Sequence, residues 1–265
     1  MVAAQNTLWE KFLQPIFQLL VDEKTLKELH DSIDWQAEYD RLSNPNLIYP
    51  DYYSSRNFHG IKGGYLTPGA AVTYDPITQY VLPPSETWIR QELIAAINGS
   101  PQNILDLGCG TGSMTIMLQQ AFPKARVTGL DLSPYMLAIA NRKAKQAGLD
   151  VQWLHEPAEA TQIESAQFDL ITASLLFHET PPSIAQGILR ESCRLLKPQG
   201  QILILDGNQK TIRHTSWLTE IFEEPYIKDY AENSVDAWMG AAGFTQIRTD
   251  DVWWLNQVTR GIKSS

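Results

Sequence analysis

The residues best placed for chemistry are two aspartates that end apolar runs, with three alternating glycines between them. Ile104-Leu105-Asp106-Leu107 leads into Gly108-Cys109-Gly110-Thr111-Gly112, and the next apolar run, Arg126-Val127-Thr128-Gly129-Leu130, ends in Asp131. An apolar strand turning through alternating glycines brings bare backbone close to a ligand. In a doubly wound sheet the crevice lies at the carboxyl ends of the strands, so the two carboxylates are expected side by side at its mouth, flanking a bound nucleoside. Glycines after a strand also serve as plain turn residues, and Ser133-Pro134 reads as a helix cap and first helical position. It is the joint occurrence at strand-turn-helix spacing that points to a ligand.

Charge narrows the choice of nucleoside. Dinucleotide sites use G-x-G-x-x-G to bring a helix amino terminus onto a pyrophosphate, with an acid about 20 positions later. Here the spacing is G-x-G-x-G, and Asp106 stands just before it. A carboxylate there repels a pyrophosphate but suits the ammonium and sulfonium of S-adenosylmethionine, while Asp131 can accept both ribose hydroxyls.

From about Ser85 to Lys263 these motifs resemble the class I S-adenosylmethionine-dependent methyltransferases, in the small-molecule branch. The resemblance implies that Asp106, Gly108, Gly110 and Gly112 line the methionine and ribose side, with Cys109 and Ser174 in the same cofactor set. It places Asp131 on the ribose, Leu132 and Met136 against adenine, and Ala158-Glu159 at the ring edge. One position departs from the pattern: Pro157 stands where an Asp or Asn commonly accepts from the adenine amino group. Glu159, Glu156 or a backbone carbonyl is then left to make that contact. Cys109 reads most simply as a small residue in a crowded turn.

The chain has 265 residues, 43% hydrophobic and 19% charged, enough for one substantial core and a small cap. A net charge of -9 argues against nucleic acid as the acceptor, because nucleic-acid binding relies on clustered Lys and Arg. The two cysteines, Cys109 and Cys193, offer neither metal-ligand spacing nor a disulfide framework. No metal is expected. The absence of a leader pattern and of an apolar run near 18 residues leads to a cytoplasmic protein without stable membrane association, monomer or homodimer.

Alternating helical and strand patterns after Ser85 predict an α/β fold: a Rossmann-like, doubly wound sheet of seven strands, mostly parallel with an antiparallel last hairpin. Helical faces are expected at Ile89, Leu93, Ala96 and Ile97, at Met114, Met117, Leu118 and Ala121, over 133–147, over 182–196, and at Val235, Trp238, Met239 and Ala242. Lys197-Pro198-Gln199-Gly200 reads as a turn, and Trp253-Trp254 as a strand pair split between core and surface. Residues 1–84 form a helical cap, with one apolar stripe at Leu8, Phe12, Ile16 and Leu19 and another at Leu26, Leu29 and Ile33. Residues 208–232 are an insertion on the acceptor side of the 85–265 domain.

Methyl transfer from a sulfonium needs orientation and exclusion of water, and a general base only if the acceptor must lose a proton. His178, just past the fourth strand, is the candidate base, with an ordinary pKa near 6.5; Glu179 beside it on an extended chain is expected to point away. Alternatively His178 simply bonds backbone at a strand end. His59 and Tyr65, within the Gly-, His- and Tyr-rich segment 53–75, read either as part of a flap over the methionine end or as a connector. Tyr53, Tyr65, His178 and Trp217 are the candidate acceptor contacts. The resulting expectation is methyl transfer to O, N or C of a small, aromatic or heteroaromatic metabolite of secondary metabolism. The alternatives are a quinone-ring C-methyltransferase and a noncatalytic S-adenosylmethionine-binding protein.

Overall fold

Period-two alternation along the strands builds two apolar faces on one sheet. Leu105 and Leu107 share a face with Ile171, Ala173, Ile202 and Ile204, while Ile104, Leu170, Leu203 and Leu205 point to the other. Each apolar run is buried on both sides, the pattern of a central parallel strand covered by helices. The structure, a computed structural model, describes residues 22–58, 63–81 (backbone only for 79–81), 85–215 and 224–264.

The strands are β1 (Asn103–Leu107), β2 (Arg126–Asp131), β3 (Gln152–His155), β4 (Phe168–Ser174), β5 (Leu196–Gly207), β6 (Phe244–Val252) and β7 (Asn256–Lys263). They lie in the order β3-β2-β1-β4-β5-β7-β6, the first five in chain order parallel and β7 antiparallel to both β5 and β6. This is the seven-stranded, mostly parallel sheet expected from the sequence. The strand order reverses between β1 and β4, so a crevice opens there at the carboxyl edge.

Helices α1 (Glu23–Asp31), α2 (Trp35–Leu42), α3 (Asp51–Ser54) and α4 (Pro68–Val81) precede the sheet. Leu29, Ile33 and Trp35 pack with Phe58, Tyr65 and Ala70–Val72 against Met136 and Ile139. Then come α5 (Glu86–Ala95), α6 (Ser113–Ala121), α7 (Pro134–Gln146), α8 (Pro182–Leu195), α9 (Gln209–His214), α10 (Ile227–Glu232) and α11 (Val235–Ala241). Serine caps start three of them: the hydroxyls of Ser85, Ser133 and Ser234 accept from the amides of Trp88, Met136 and Ala237. The 208–232 segment is helical at both described ends.

Several expectations change. On α6 the buried residues are Met114, Thr115, Leu118 and Gln119, while Ala121 is exposed, because Thr115 turns inward to reach a buried carboxylate. Lys197–Gly200 does not end a strand: it is an excursion within β5, with Gln199 at φ 65 and the register shifting between Phe168 and Leu170. Trp253 and Trp254 are both exposed, because they occupy the turn between β6 and β7 and not a strand. The stripe at Leu8, Phe12, Ile16 and Leu19 lies outside the described residues. Segment 53–75 is largely structured: Phe58 and Tyr65 are buried, and its end is the first half of α4.

Gly129 on β2 shows how tightly the glycine-turn side of the sheet is packed. A Cβ there meets Trp153 at 2.5 Å and the Cys109 sulfur at 3.0 Å, whereas one on Gly69 in α4 meets nothing within 4 Å. Gly129→Ala is expected to lower unfolding stability by about 1–3 kcal/mol and Gly69→Ala to leave it unchanged or slightly raised, as read by urea denaturation.

Candidate active site

Asp131 organises the floor of the crevice. Its Oδ2 accepts from the Gly110 amide at 2.8 Å and its Oδ1 from the Ser133 amide at 2.8 Å. The Cys109 amide meanwhile donates to the Leu130 carbonyl, extending the β1–β2 ladder into the turn. Gly108 follows at φ 60, and a Cβ on it would meet Leu176 at 2.7 Å, so the turn tolerates no side chain there. Each carboxylate oxygen has a second lone pair, so Asp131 keeps acceptor capacity for two more donors. Burial pushes its pKa up to about 6, against the two amides that favour the ionised form.

Above Asp131 lies a cleft of about 670 Å³, counting the space at its mouth. Gly108, Gly110, Leu132, Met136 and Ala158 line one end, and Tyr52, Tyr53, Phe58, Tyr65 and Tyr74 roof it. The roof is fixed. Ser133 Oγ donates to the Tyr65 carbonyl at 2.7 Å, Phe58 stacks on Tyr65, and Lys143 Nζ donates to Asp75 at 2.6 Å and to Ser113 at 3.0 Å, tying α4 to the start of α6. His155, at the end of β3, accepts from the Asn44 amide through Nδ1 at 2.8 Å. Nδ1 therefore carries no proton, and Nε2 donates to the Leu132 carbonyl at 2.9 Å. Burial holds this imidazole below its ordinary pKa, against the Leu132 bond.

Asp106 does not sit side by side with Asp131. It pairs with Gly129 in the parallel register, two residues short of Asp131, and faces a separate polar recess shared with Tyr74, Arg90, Cys109 and Ser174. There its oxygens accept from Thr115 Oγ1 at 2.6 Å and Thr172 Oγ1 at 2.8 Å. Burial raises its pKa, with the two hydroxyls and Arg90 opposing. Arg90 is itself buried and bound to Glu86 through Nε and Nη2. Ser174 Oγ is buried with no hydrogen-bond partner among the described residues. Burial pushes the Cys109 thiol well up, which leaves it a packing residue in the turn.

The two ends of the site suit S-adenosylmethionine. The recess beside Ser174 Oγ holds one cation, Arg90, and one carboxylate, Asp106, and Asp131 has two further acceptor positions, an arrangement compatible with an amino acid moiety and a ribose. Leu132, Met136 and Ala158 give the cleft an apolar side. Glu159 is held by the Tyr52 hydroxyl at 3.1 and 3.2 Å, while Glu156 lines the cleft beside Pro157. Among the described residues no group of His, Cys, Asp and Glu is arranged to hold a metal.

Of the candidate acceptor contacts, Tyr53 and Tyr65 both line the cleft. His59 and Trp217 lie outside the described residues. His178 does not line the cleft and is not a free imidazole. It lies in a 3-10 turn, Phe177–Glu179, where the chain is not extended, and its Nδ1 bonds Asp206 Oδ1 at 2.5 Å. Its Nε2 is 3.5 Å from Glu224 and 3.9 Å from Glu179. Burial alone would depress its pKa, but Asp206, Glu224 and Glu179 outweigh that and hold it at about 10, an imidazolium at neutral pH. The group facing the cleft is Glu179, whose Oε1 accepts from the Tyr65 hydroxyl at 2.6 Å. Asp206 was missed in the sequence although it carries the same signal as Asp106 and Asp131: an aspartate closing an apolar strand.

Because the folded pKa of His178 lies above its ordinary 6.5, its ion pairs stabilise the fold fully below 6.5. That contribution is lost as pH rises towards about 10. The urea midpoint of the protein is expected to fall across this window, and to fall less in His178→Gln.

Residues 104–200 match the family model described as a methyltransferase domain. A demethylmenaquinone methyltransferase of Thermus thermophilus is 37% identical over 119 residues, covering 45% of this chain and 53% of that protein. The enzyme of the same name from Listeria welshimeri is 32% identical over 142 residues, covering 50% and 59%. The matches thus span little more than half the length of these relatives. Among solved structures, an S-adenosylmethionine-dependent methyltransferase from Aquifex aeolicus superposes with a TM-score of 0.54 at 21% identity, over 65% of this chain and 88% of that one. Phosphoethanolamine N-methyltransferase 2 of Haemonchus contortus, in complex with S-adenosylmethionine, gives 0.55 at 15% identity, over 75% and 58%. Sheet order, glycine turn and matched segment agree: residues 104–200 match a methyltransferase domain, set in a fold shared with S-adenosylmethionine-dependent methyltransferases.

Proposed function

We propose that the protein transfers the methyl group of S-adenosylmethionine to a small, flat acceptor held under the tyrosine roof. The observation that carries this reading is one continuous cleft with Asp131 and the glycine turn at one end and a fixed aromatic roof over Glu179 at the other. The cofactor supplies a methyl group activated by its positive sulfur. The protein's own part is to hold and orient. Asp131 takes the ribose, Arg90, Asp106 and Ser174 the methionine end, and the roof excludes water. For an acceptor that must lose a proton, Glu179 is the receiving carboxylate. Tyr65 orients it, and His178 behind it acts as a positioning residue that offsets its charge.

Methylation at a quinone-ring carbon is the second reading, favoured by the relatives named demethylmenaquinone methyltransferase. The flat aromatic walls of Tyr53, Phe58 and Tyr65 suit such a ring.

Calorimetric titration with S-adenosylmethionine and S-adenosylhomocysteine, with NAD as control, tests the cofactor half. Both sulfur nucleosides should bind and NAD should not; the reverse outcome rejects the reading. Asp131→Asn should weaken binding about ten- to hundredfold, the value of hydrogen bonds to a charged acceptor. Since ribose hydroxyls favour the carboxylate form, affinity should also fall as pH drops below about 6. Transfer of labelled methyl to a panel of phenols, aromatic amines and hydroquinones tests the acceptor half. Tyr65→Phe should lower that rate while leaving cofactor affinity within about twofold.

A further inference from the structure

A nucleoside whose ribose rests on Asp131 and whose amino acid end lies at Asp106, Arg90 and Ser174 has one direction left for its base. That recess is on the β1 and β4 side, and the strand order runs β4, β1, β2, β3, so the base falls towards β3. Asp131 pairs with His155 in the β2–β3 register, and Glu156, Pro157 and Ala158 follow directly on His155. Glu156 and Ala158 both line the cleft.

These residues offer a base one acceptor and one donor. Glu156 Oε2 accepts from the Gln162 amide at 2.9 Å, and its Oε1 makes no hydrogen bond among the described residues. The Ala158 amide also donates to nothing among the described residues, although Ala158 is only 7% exposed. Buried amides are nearly always paired, so this one points to a ligand. The other acceptors close by are engaged. Glu159 does not line the cleft and takes the Tyr52 hydroxyl on both oxygens, at 3.1 and 3.2 Å. The Leu132 carbonyl accepts from His155 Nε2, and the Pro157 carbonyl from the Ala160 amide. With its proton committed to Glu159, Tyr52 has none to donate to a ligand, and Pro157 has no amide hydrogen at all. A carboxylate oxygen beside an amide matches a base edge with an exocyclic amino group next to a bare ring nitrogen. The same pair opposes an edge with a carbonyl oxygen next to a ring N–H, because both contacts are then reversed.

We infer that Glu156 and the Ala158 amide read the base edge of the cofactor together, Glu156 taking the exocyclic amino group and so selecting a 6-amino over a 6-oxo purine. The inference rests on the cofactor reading above and extends it to the one side chain that decides which nucleoside is accepted. The contact that Pro157 cannot make passes to its neighbour.

The test is calorimetric titration of the full chain with S-adenosylhomocysteine and with S-inosylhomocysteine, which differ only along this edge of the base. The unaltered protein should bind the 6-amino nucleoside at least about tenfold more tightly, the value of a hydrogen bond to a charged acceptor. Glu156→Gln, whose amide can turn either its oxygen or its nitrogen to the base, should bring the two affinities within about threefold of each other. Glu156→Ala should lose about tenfold for the 6-amino nucleoside. Glu164→Gln makes the same charge change at an exposed site on the same β3–β4 connection and should keep the preference. Binding of S-adenosylhomocysteine without preference by the unaltered protein overturns the proposal and leaves the cofactor reading standing, as does a preference that survives in both Glu156 variants. Binding of neither nucleoside overturns both. Folding of each variant is checked by its urea midpoint.

Discussion

The carboxylate of Asp131 is the point on which the site depends. Buried at the end of β2, it holds the amide of Gly110 on one oxygen and that of Ser133 on the other, so the glycine turn and the start of α7 share one acceptor. A buried carboxylate is costly unless it is hydrogen-bonded. Those two bonds fix two loops that differ by 23 positions in sequence. From there a path of hydrogen bonds and one ion pair crosses the cleft: Ser133 Oγ to the Tyr65 carbonyl, Tyr65 hydroxyl to Glu179, Glu179 paired with His178 at 3.9 Å, and His178 to Asp206 at the end of β5. The roof, the Asp131 end of the cleft and its Glu179 end are thus held by one chain of contacts between two strand ends.

The same device appears three times. β1, β2 and β5 each place an aspartate at or near the carboxyl end, and each is spent differently according to what the local sequence offers. Asp106 meets two threonine hydroxyls, Asp131 meets two amides, and Asp206 meets the Phe177 amide together with an imidazole. Neutral partners leave the first two with raised pKa values, whereas the third raises that of its partner. One sequence pattern therefore yields a carboxylate held by hydroxyls, a carboxylate held by amides and a clamp for a cation.

Much of this was legible in the sequence. Apolar runs of fixed length between serine caps and glycine stops give the strands and helices directly, because those signals are local. The glycine turn and Asp131 were legible for the same reason. Long-range pairing was not. Nothing near His178 in the sequence announces Asp206 or Glu224, so an ordinary imidazole was expected where an imidazolium is held. Thr115 breaks the apolar face of α6 because its partner, Asp106, belongs to another element. The roof was visible only as a run of tyrosines, since its fixing contacts to Ser133 and Lys143 come from more than 60 residues away. Trp253 and Trp254 followed strand alternation on paper and turned out to be the hairpin tip.

The two buried histidines also set limits of opposite kind on the conditions the protein tolerates. His155 joins the segment after α2 to the end of β2 only while its Nδ1 is bare, and acidification puts a proton where the Asn44 amide must donate. With its pKa held below 6.5, that attachment is sound above 6.5 and weakens as pH falls. His178 behaves in the other sense, losing its grip on the β5 end in alkali. Acid stress and alkaline stress therefore enter the molecule at different places, the first loosening the helices over β3 and the second the turn beside β5. The range in which both ends are closed lies around neutrality, a working interval written into the fold by two imidazoles with opposite neighbours.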